Sequence, residues 1–185
     1  GGLPVERKPP FQYKAPFSPV DVIQEYIRPA RMVENGAIIT KPALSDREIL
    51  SFEEVGELEA FNTDGLRSLV LTMPHIPNMK EKTLRYPGHL DLICAMQQAG
   101  FFETSPIRVN KVDVSPLEFT SKLLVNQWKL EPGEKEFTVM KVIIEGEGKK
   151  VQYDLFDRYD TATNLTSMAR TTGYTCSAAV NLLSR

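Results

Sequence analysis

The chain holds 185 residues, 42% hydrophobic and 25% charged, the balance of a globular protein with an ordinary core. Its 22 basic and 24 acidic residues leave a net charge of −2 with no lysine/arginine-rich block, so composition gives no support to a nucleic-acid or anionic-membrane partner. No apolar run reaches the ~20 residues that span a bilayer, no signal-peptide pattern opens the chain, and two cysteines (Cys94 and Cys176) make no disulfide scaffold, which points to a reducing, cytoplasmic setting.

Residues 1–17, with Pro4, Pro9, Pro10 and Pro16, read as an irregular proline-rich arm. Ser18-Pro19-Val20-Asp21 reads as a helix start: a serine N-cap, proline at the first helical position and an acid in the first turn. Val20, Ile23 and Ile27 supply its stripe, and Pro29 ends it. Short strands are expected over 31–61, with Glu34-Asn35-Gly36 as a turn between Met32-Val33 and Ala37-Ile38-Ile39. Asn62-Thr63-Asp64-Gly65 reads as the opening of a helix whose Leu66, Leu69, Val70 and Met73 share a face. An extended run follows over 79–86. Pro87 then starts a helix with Leu92, Ile93, Met96 and Ala99 inward, closed by Gly100, with Phe101 and Phe102 folding back as anchors.

Ser115-Pro116-Leu117-Glu118 matches a capping box, predicting a helix to about Leu130 with Leu117, Leu124 and Trp128 on one face. Residues 136–145 and 149–157 are the clearest strands, joined through Gly146-Glu147-Gly148. Val151, Tyr153 and Leu155 alternate with Gln152 and Asp154, predicting one buried and one wet face. A last helix is expected from Ser167, with Met168, Thr172, Thr175, Ala179 and Leu182 on a face. The chain begins at Gly1 without methionine and stops at Arg185 within an apolar helix, so a fragment of a longer polypeptide is expected. Hairpin-linked strands with helices around them predict an α+β fold on a mostly antiparallel or mixed sheet.

No G-x-G-x-x-G follows a strand and no Walker sequence occurs, so no phosphate-cradling loop is expected. Three polar corners carry candidate chemistry. Asn62, Thr63 and Asp64 stand where helix N–H groups take an anion, or where they merely cap the helix. Arg85, Tyr86 and His89 combine a carboxylate clamp, an orienting hydroxyl and a group titrating near neutrality. The plain alternative is a polar strand end. Arg170 and Thr171 lie beside Gly173, whose position within a helix suggests close approach by a ligand or another helix. Lys14 and Ser18 are weaker candidates. His75 and His89 offer no metal-ligand spacing, so no structural metal is expected.

Four stretches, in order, carry a resemblance: Phe11–Pro19, Ala60–Leu69, Lys82–His89 and Met168–Tyr174. Together they resemble the second domain of the saccharopine dehydrogenase family, in the branch of lysine 6-dehydrogenase-like proteins. The resemblance implies one substrate-binding and dimerisation domain over 1–185, of the glyceraldehyde-3-phosphate dehydrogenase C-terminal type. It further implies a preceding Rossmann domain that brings NAD or NADP, an amino-acid substrate, homodimers, and hydride transfer at a carbon bearing an amino or imino nitrogen. Carried over residue by residue, Arg85, Asn62, Thr63, Asp64, Arg170 and Thr171 become expected substrate contacts, and Tyr86 and His89 expected catalytic residues. In such reactions the cofactor performs the hydride chemistry and the protein orients the substrate. The competing expectation is a non-catalytic dimerisation or interaction module that keeps the fold.

Overall fold

Two residues with positive φ, Asn35 (52°) and Gly36 (80°), connect the first hairpin of the computed structural model, which describes residues 1–184. The expected cut end at Arg185 lies outside the described residues. The fold is α+β, with small antiparallel sheets and five helices. The described residues gather into two units: Ser18–Trp128, and Gly1–Phe17 together with the chain from Lys129 onward.

In the first of these, helix α1 (Pro19–Ile27) begins at Ser18 and ends where Pro29 forbids continuation. Its buried stripe is Val22, Ile23 and Tyr26; of the expected stripe Ile23 is buried, Ile27 is half-buried and Val20 is exposed. Strands β2 (Ala30–Glu34) and β3 (Ala37–Lys41) pair from Ala30↔Lys41 to Glu34↔Ala37, as the Asn-Gly turn demands. A second sheet runs β4 (Glu48–Phe52), β5 (Gly56–Asn62), β6 (Lys82–Arg85).

The expected helix over 62–73 is largely absent. β5 continues to Asn62, and only α2 (Leu69–Thr72) is helical. Arg67 adopts φ 45°, which interrupts a right-handed helix, and Pro74 closes it from the other side. Leu66 and Val70 still reach a small core with Ala30, Met32 and Val33, so the apolar spacing reported burial rather than helix length.

Helix α3 (His89–Gln98) starts two residues later than Pro87 suggested, with Gly88 at the N-cap, and buries His89, Leu90 and Ile93 rather than Leu92 and Ala99. Phe102 is buried but Phe101 is exposed. A short hairpin, β7 (Ile107–Val109) and β8 (Val112–Val114), turns at Asn110-Lys111 and went unforeseen because Lys is a weak turn signal. Helix α4 (Pro116–Trp128) is capped as expected, with the Glu118 N–H donating to Ser115 Oγ at 3.3 Å. Its Thr120, Leu124 and Trp128 are buried. Trp128 meets Tyr26 of α1 edge-on at 6.1 Å, a geometry aromatic pairs favour.

In the second unit, the expected irregular arm opens with a strand. β1 (Gly2–Pro4) pairs with β9 (Glu136–Gly146), placing Leu3 opposite Phe137. β9 pairs with β10 (Lys149–Arg158) over ten residues, through a two-residue turn of Glu147 and Gly148, both at positive φ, the backbone that right-twisted strands favour. The apolar face of this hairpin is not buried: Val151 and Tyr153 are exposed. Helix α5 (Ser167–Leu183) is exposed from Thr172 onward.

Candidate functional site

Strand β6 and the residue before it direct Glu81, Thr83 and Arg85 to one face, by the two-residue period of extended chain. Leu84 is buried on the other face. After Arg85 the chain turns sharply. Gly88 holds φ 91° with open space around it, a conformation that costs any other residue steric energy. The His89 N–H donates to Tyr86 O at 3.2 Å, and the imidazole is swung back beside the strand it has just left.

Arg85 and His89 meet at a residue that sequence reading missed. The Tyr26 hydroxyl of α1 accepts from Arg85 Nε at 2.8 Å and lies 2.9 Å from His89 Nε2. The hydroxyl can donate to Nε2 or accept from it, depending on which imidazole nitrogen carries the proton. Arg85 Nη1 donates to Leu84 O at 2.9 Å, and Nη2 lies 3.5 Å from the Glu25 carboxylate. Arg85 is 2% exposed, His89 1% and Tyr26 0%. The His89 ring packs 5.8 Å from Trp128 and 5.6 Å from Tyr26.

Further along the same face of β6 lies a second polar group. Thr63 Oγ1 donates to Glu81 Oε2 at 2.6 Å and lies 2.8 Å from Thr83 Oγ1, and the Gly65 N–H donates to the same Glu81 oxygen at 3.1 Å. A Cβ at Gly65 would overlap the Glu81 carboxylate, so a larger residue there must displace it. Burial pushes the Glu81 carboxyl above the usual range, against the pull of Thr63 and Gly65, and the Glu25 charge raises it further. Burial likewise pushes Glu25 up, with Arg85 pulling it back. Two carboxyls raised by burial thus lie within electrostatic reach of each other, with Glu25 beside the buried Arg85 guanidinium, an arrangement able to exchange a proton. The one signal for Glu81 in the sequence is its position four residues before Arg85; for Tyr26 it is the spacing from Ile23 on a buried stripe.

The expected residues are only partly assembled. Arg85 and His89 share Tyr26, and Tyr86 is buried at the turn between them. Thr63 joins Glu81. Asp64 instead takes a two-pronged bond from Arg31, Nε and Nη2 each at 2.9 Å, and Arg31 holds its carboxyl low. The Asn62 amide donates to Ser45 Oγ and Asp46 Oδ2, both at 3.0 Å, tying down the loop before β4. These three residues stand at a strand end, not at a helix start.

Arg170 and Thr171 belong to the other unit. Arg170 bridges Asp157 at 3.1 Å and Asp160 at 2.8 Å, and Thr171 Oγ1 donates to Ser167 O of its own helix at 2.9 Å. Lys14, also in that unit, donates to Lys129 O at 3.0 Å and lines a cleft of about 440 Å³ with Glu6 and Glu134. The Ser18 side chain makes no cap bond. His75 is exposed, and among the described residues no three His, Cys, Asp or Glu side chains gather as a metal site.

The residues described do not fit a dinucleotide. A phosphate cradle needs open N–H groups at a helix start, and these starts are otherwise engaged. At the start of α1 Pro19 offers no N–H and the Asp21 N–H bonds Ser18 O. Gly88, ahead of α3, donates its N–H to Glu59. Ser115 caps α4, and the Glu136 carboxylate and Thr166 cap α5.

Comparison with known proteins places this fold. The family model described as the saccharopine dehydrogenase C-terminal domain matches residues 1–185. Among solved structures, the apo histidine-tagged saccharopine dehydrogenase (L-Glu forming) from Saccharomyces cerevisiae is similar, with a TM-score of 0.70 at 16% identity. The match covers 97% of this chain and 56% of that one, so the chain spans little more than half the length of that relative.

Proposed function

The chain belongs to the saccharopine dehydrogenase family, as its C-terminal domain, and on that premise we propose that it is the substrate-binding domain of an NAD(P)-dependent oxidoreductase. The bonds acted on are CH–NH or CH–NH2 groups of amino acids, in lysine metabolism, in a cytoplasmic homodimeric enzyme. The nicotinamide is brought by a Rossmann domain elsewhere in the full-length protein.

The observation that carries the reading is the polar row on β6 with its α1 cover: Arg85, Tyr26 and His89 beside Glu25 and Glu81. A carboxylated amine has one negative and one positive end. Arg85 serves the carboxylate, and the acids serve the ammonium. His89 and Tyr86 border the reacting nitrogen, with Thr63 holding Glu81 in place. Asn62 and Asp64 fix the strand end that carries Thr63, and Arg170 and Thr171, in the other unit, are carried as substrate contacts by the family resemblance alone.

A second reading has its own support. Arg85 is almost wholly buried and already bonded within the fold, which suits a non-catalytic dimerisation module that has kept the architecture. One experiment separates the two. The full-length protein is screened with amino acids and their carboxylated secondary amines, using both nicotinamides. Turnover of such a substrate is expected, and Arg85→Ala is expected to lower kcat/KM by about 100-fold, the scale of a lost charge-assisted contact. Absence of turnover with every substrate favours the module; turnover with wild-type kinetics in Arg85→Ala removes Arg85 from the site.

A further inference from the structure

The contacts of the Arg85 guanidinium differ in quality. Nε donates to the Tyr26 hydroxyl at 2.8 Å and Nη1 to Leu84 O at 2.9 Å, both within normal hydrogen-bond range. Nη2 meets the Glu25 carboxylate only at 3.5 Å, beyond the ~3.2 Å reach of a good N–H···O bond. The partners also differ in how firmly they are set. Tyr26 is fully buried, and Leu84 O belongs to β6 itself. Glu25, one residue before Tyr26 on α1, has a side chain 30% exposed, against 3% for Arg85. Burial raises the Glu25 carboxyl against the pull of Arg85, while Arg67 and Asp21 act on it in opposite directions. Arg85 is therefore a fixed, buried cation, and Glu25 is a loosely seated carboxylate on its solvent side. A buried cation left without a counter-charge is costly, so the position beside Nη2 calls for a carboxylate from one source or another.

We propose that Glu25 is an internal stand-in for the substrate's carboxylate: it covers Arg85 in the empty domain, and a carboxylated ligand displaces it from Nη2. The inference rests on the reading of Arg85 as the carboxylate contact and deepens it by naming the residue that sets the selectivity of that contact. The exchange conserves charge, one carboxylate replacing another beside the same cation. A ligand carboxylate that reaches Nη2 at about 2.7–2.9 Å makes the charge-assisted bond that Glu25 does not make at 3.5 Å. Changing rotamer is enough to move the Glu25 carboxylate while α1 stays in place. The freed carboxylate then faces the amino end of the same ligand. An amine without a carboxylate leaves Glu25 on Arg85 and gains nothing from it, so Glu25 discriminates in favour of carboxylated amines. The same competition weakens the binding of every carboxylate, because each must first remove Glu25.

The test is isothermal titration of the protein at its full length with glutarate, a dicarboxylate that has no amino group, with circular dichroism as the fold control. Glu25→Gln keeps the shape of the side chain and removes the competing charge; Glu25→Ala removes the side chain altogether and serves as the second variant. Glutarate is expected to bind at least ~10-fold tighter to either variant than to wild type, the scale of one charge-assisted contact. A double variant, Glu25→Gln with Arg85→Gln, removes both charges together and is expected to lose that gain. Equal or weaker glutarate binding in the folded single variants overturns the displacement, and so does a gain that survives in the double variant. The substrate reading is judged apart, by the kinetics of Arg85→Ala. Unchanged glutarate affinity with a large loss of kcat/KM in Arg85→Ala overturns the exchange and keeps the reading. Tighter glutarate binding with wild-type kinetics in Arg85→Ala keeps the exchange and overturns its assignment to the substrate.

Discussion

The Tyr26 hydroxyl stands between Arg85 Nε and His89 Nε2, at 2.8 and 2.9 Å. One side chain from α1 thereby fixes two groups of opposite chemistry on β6 and α3, a permanent cation and a titratable ring. Replacing Tyr26 with Phe keeps the ring packing against Trp128 and removes only the shared oxygen. Both bonds are lost inside the core, and the expected cost is about 2–3 kcal/mol. Urea unfolding of the two proteins checks it. A difference below experimental error would mean that the ring, not the hydroxyl, holds the corner together.

Glu81 gives a pH signature. Burial raises its folded carboxyl above the unfolded value, so the folded state binds the proton more tightly. The charged form therefore costs stability at neutral pH, and that cost is relieved as pH falls through the folded value toward the ordinary carboxylate range. Glu81→Gln keeps an acceptor for Thr63 and Gly65 and removes the charge. Relative to wild type, this variant is expected to be more stable at pH 7 than at pH about 4, where both are neutral. Thermal melts across that range measure the difference; a constant offset at all pH values contradicts it.

Asp64 behaves in the opposite sense. Its folded carboxyl is lowered by the bond from Arg31, so its contribution is present above the unfolded value and is lost as pH falls through the folded one. Arg31 is 43% exposed, so the pair is screened. Asp64→Asn is expected to cost about 1 kcal/mol at neutral pH and low salt, less at high salt, and nothing once acid has protonated the wild type. Denaturant midpoints at two salt concentrations and two pH values give the readout.

Glu136 is 0% exposed, and its carboxylate accepts from the Ser167 N–H and from Ser167 Oγ at the start of α5. A carboxylate there satisfies open N–H groups and the positive end of the helix together. Glu136→Ala leaves those donors buried without it, and about 2–4 kcal/mol of loss is expected. Because α5 is exposed from Thr172 onward, little else keeps it docked. Limited proteolysis within α5, compared between wild type and variant, reports the release; equal cleavage rates argue that Thr166 and Arg170 hold the helix without Glu136.

Local chemistry decided a large part of this fold. Asn35-Gly36 sets the β2–β3 hairpin and Glu147-Gly148 the β9–β10 hairpin, since positive φ at adjacent residues is a property of the turn itself. Pro19, Pro29 and Ser115 mark helix ends for equally local reasons, and the four ordered stretches pointed to the family that the whole-chain match bears out. Tertiary structure decided what these elements touch. The bonds from Tyr26 to Arg85 and His89 span 59 and 63 residues, a separation over which no periodicity carries information. Asn62, Thr63 and Asp64 became three strand-end anchors with different partners because β5 pairs on to Lys82 and Arg67 breaks the expected helix. The sequence also specified an apolar side on the β9–β10 hairpin. Whether that side meets its own chain is a matter of packing, and here the helix that follows is fastened only at the root, leaving the rows open.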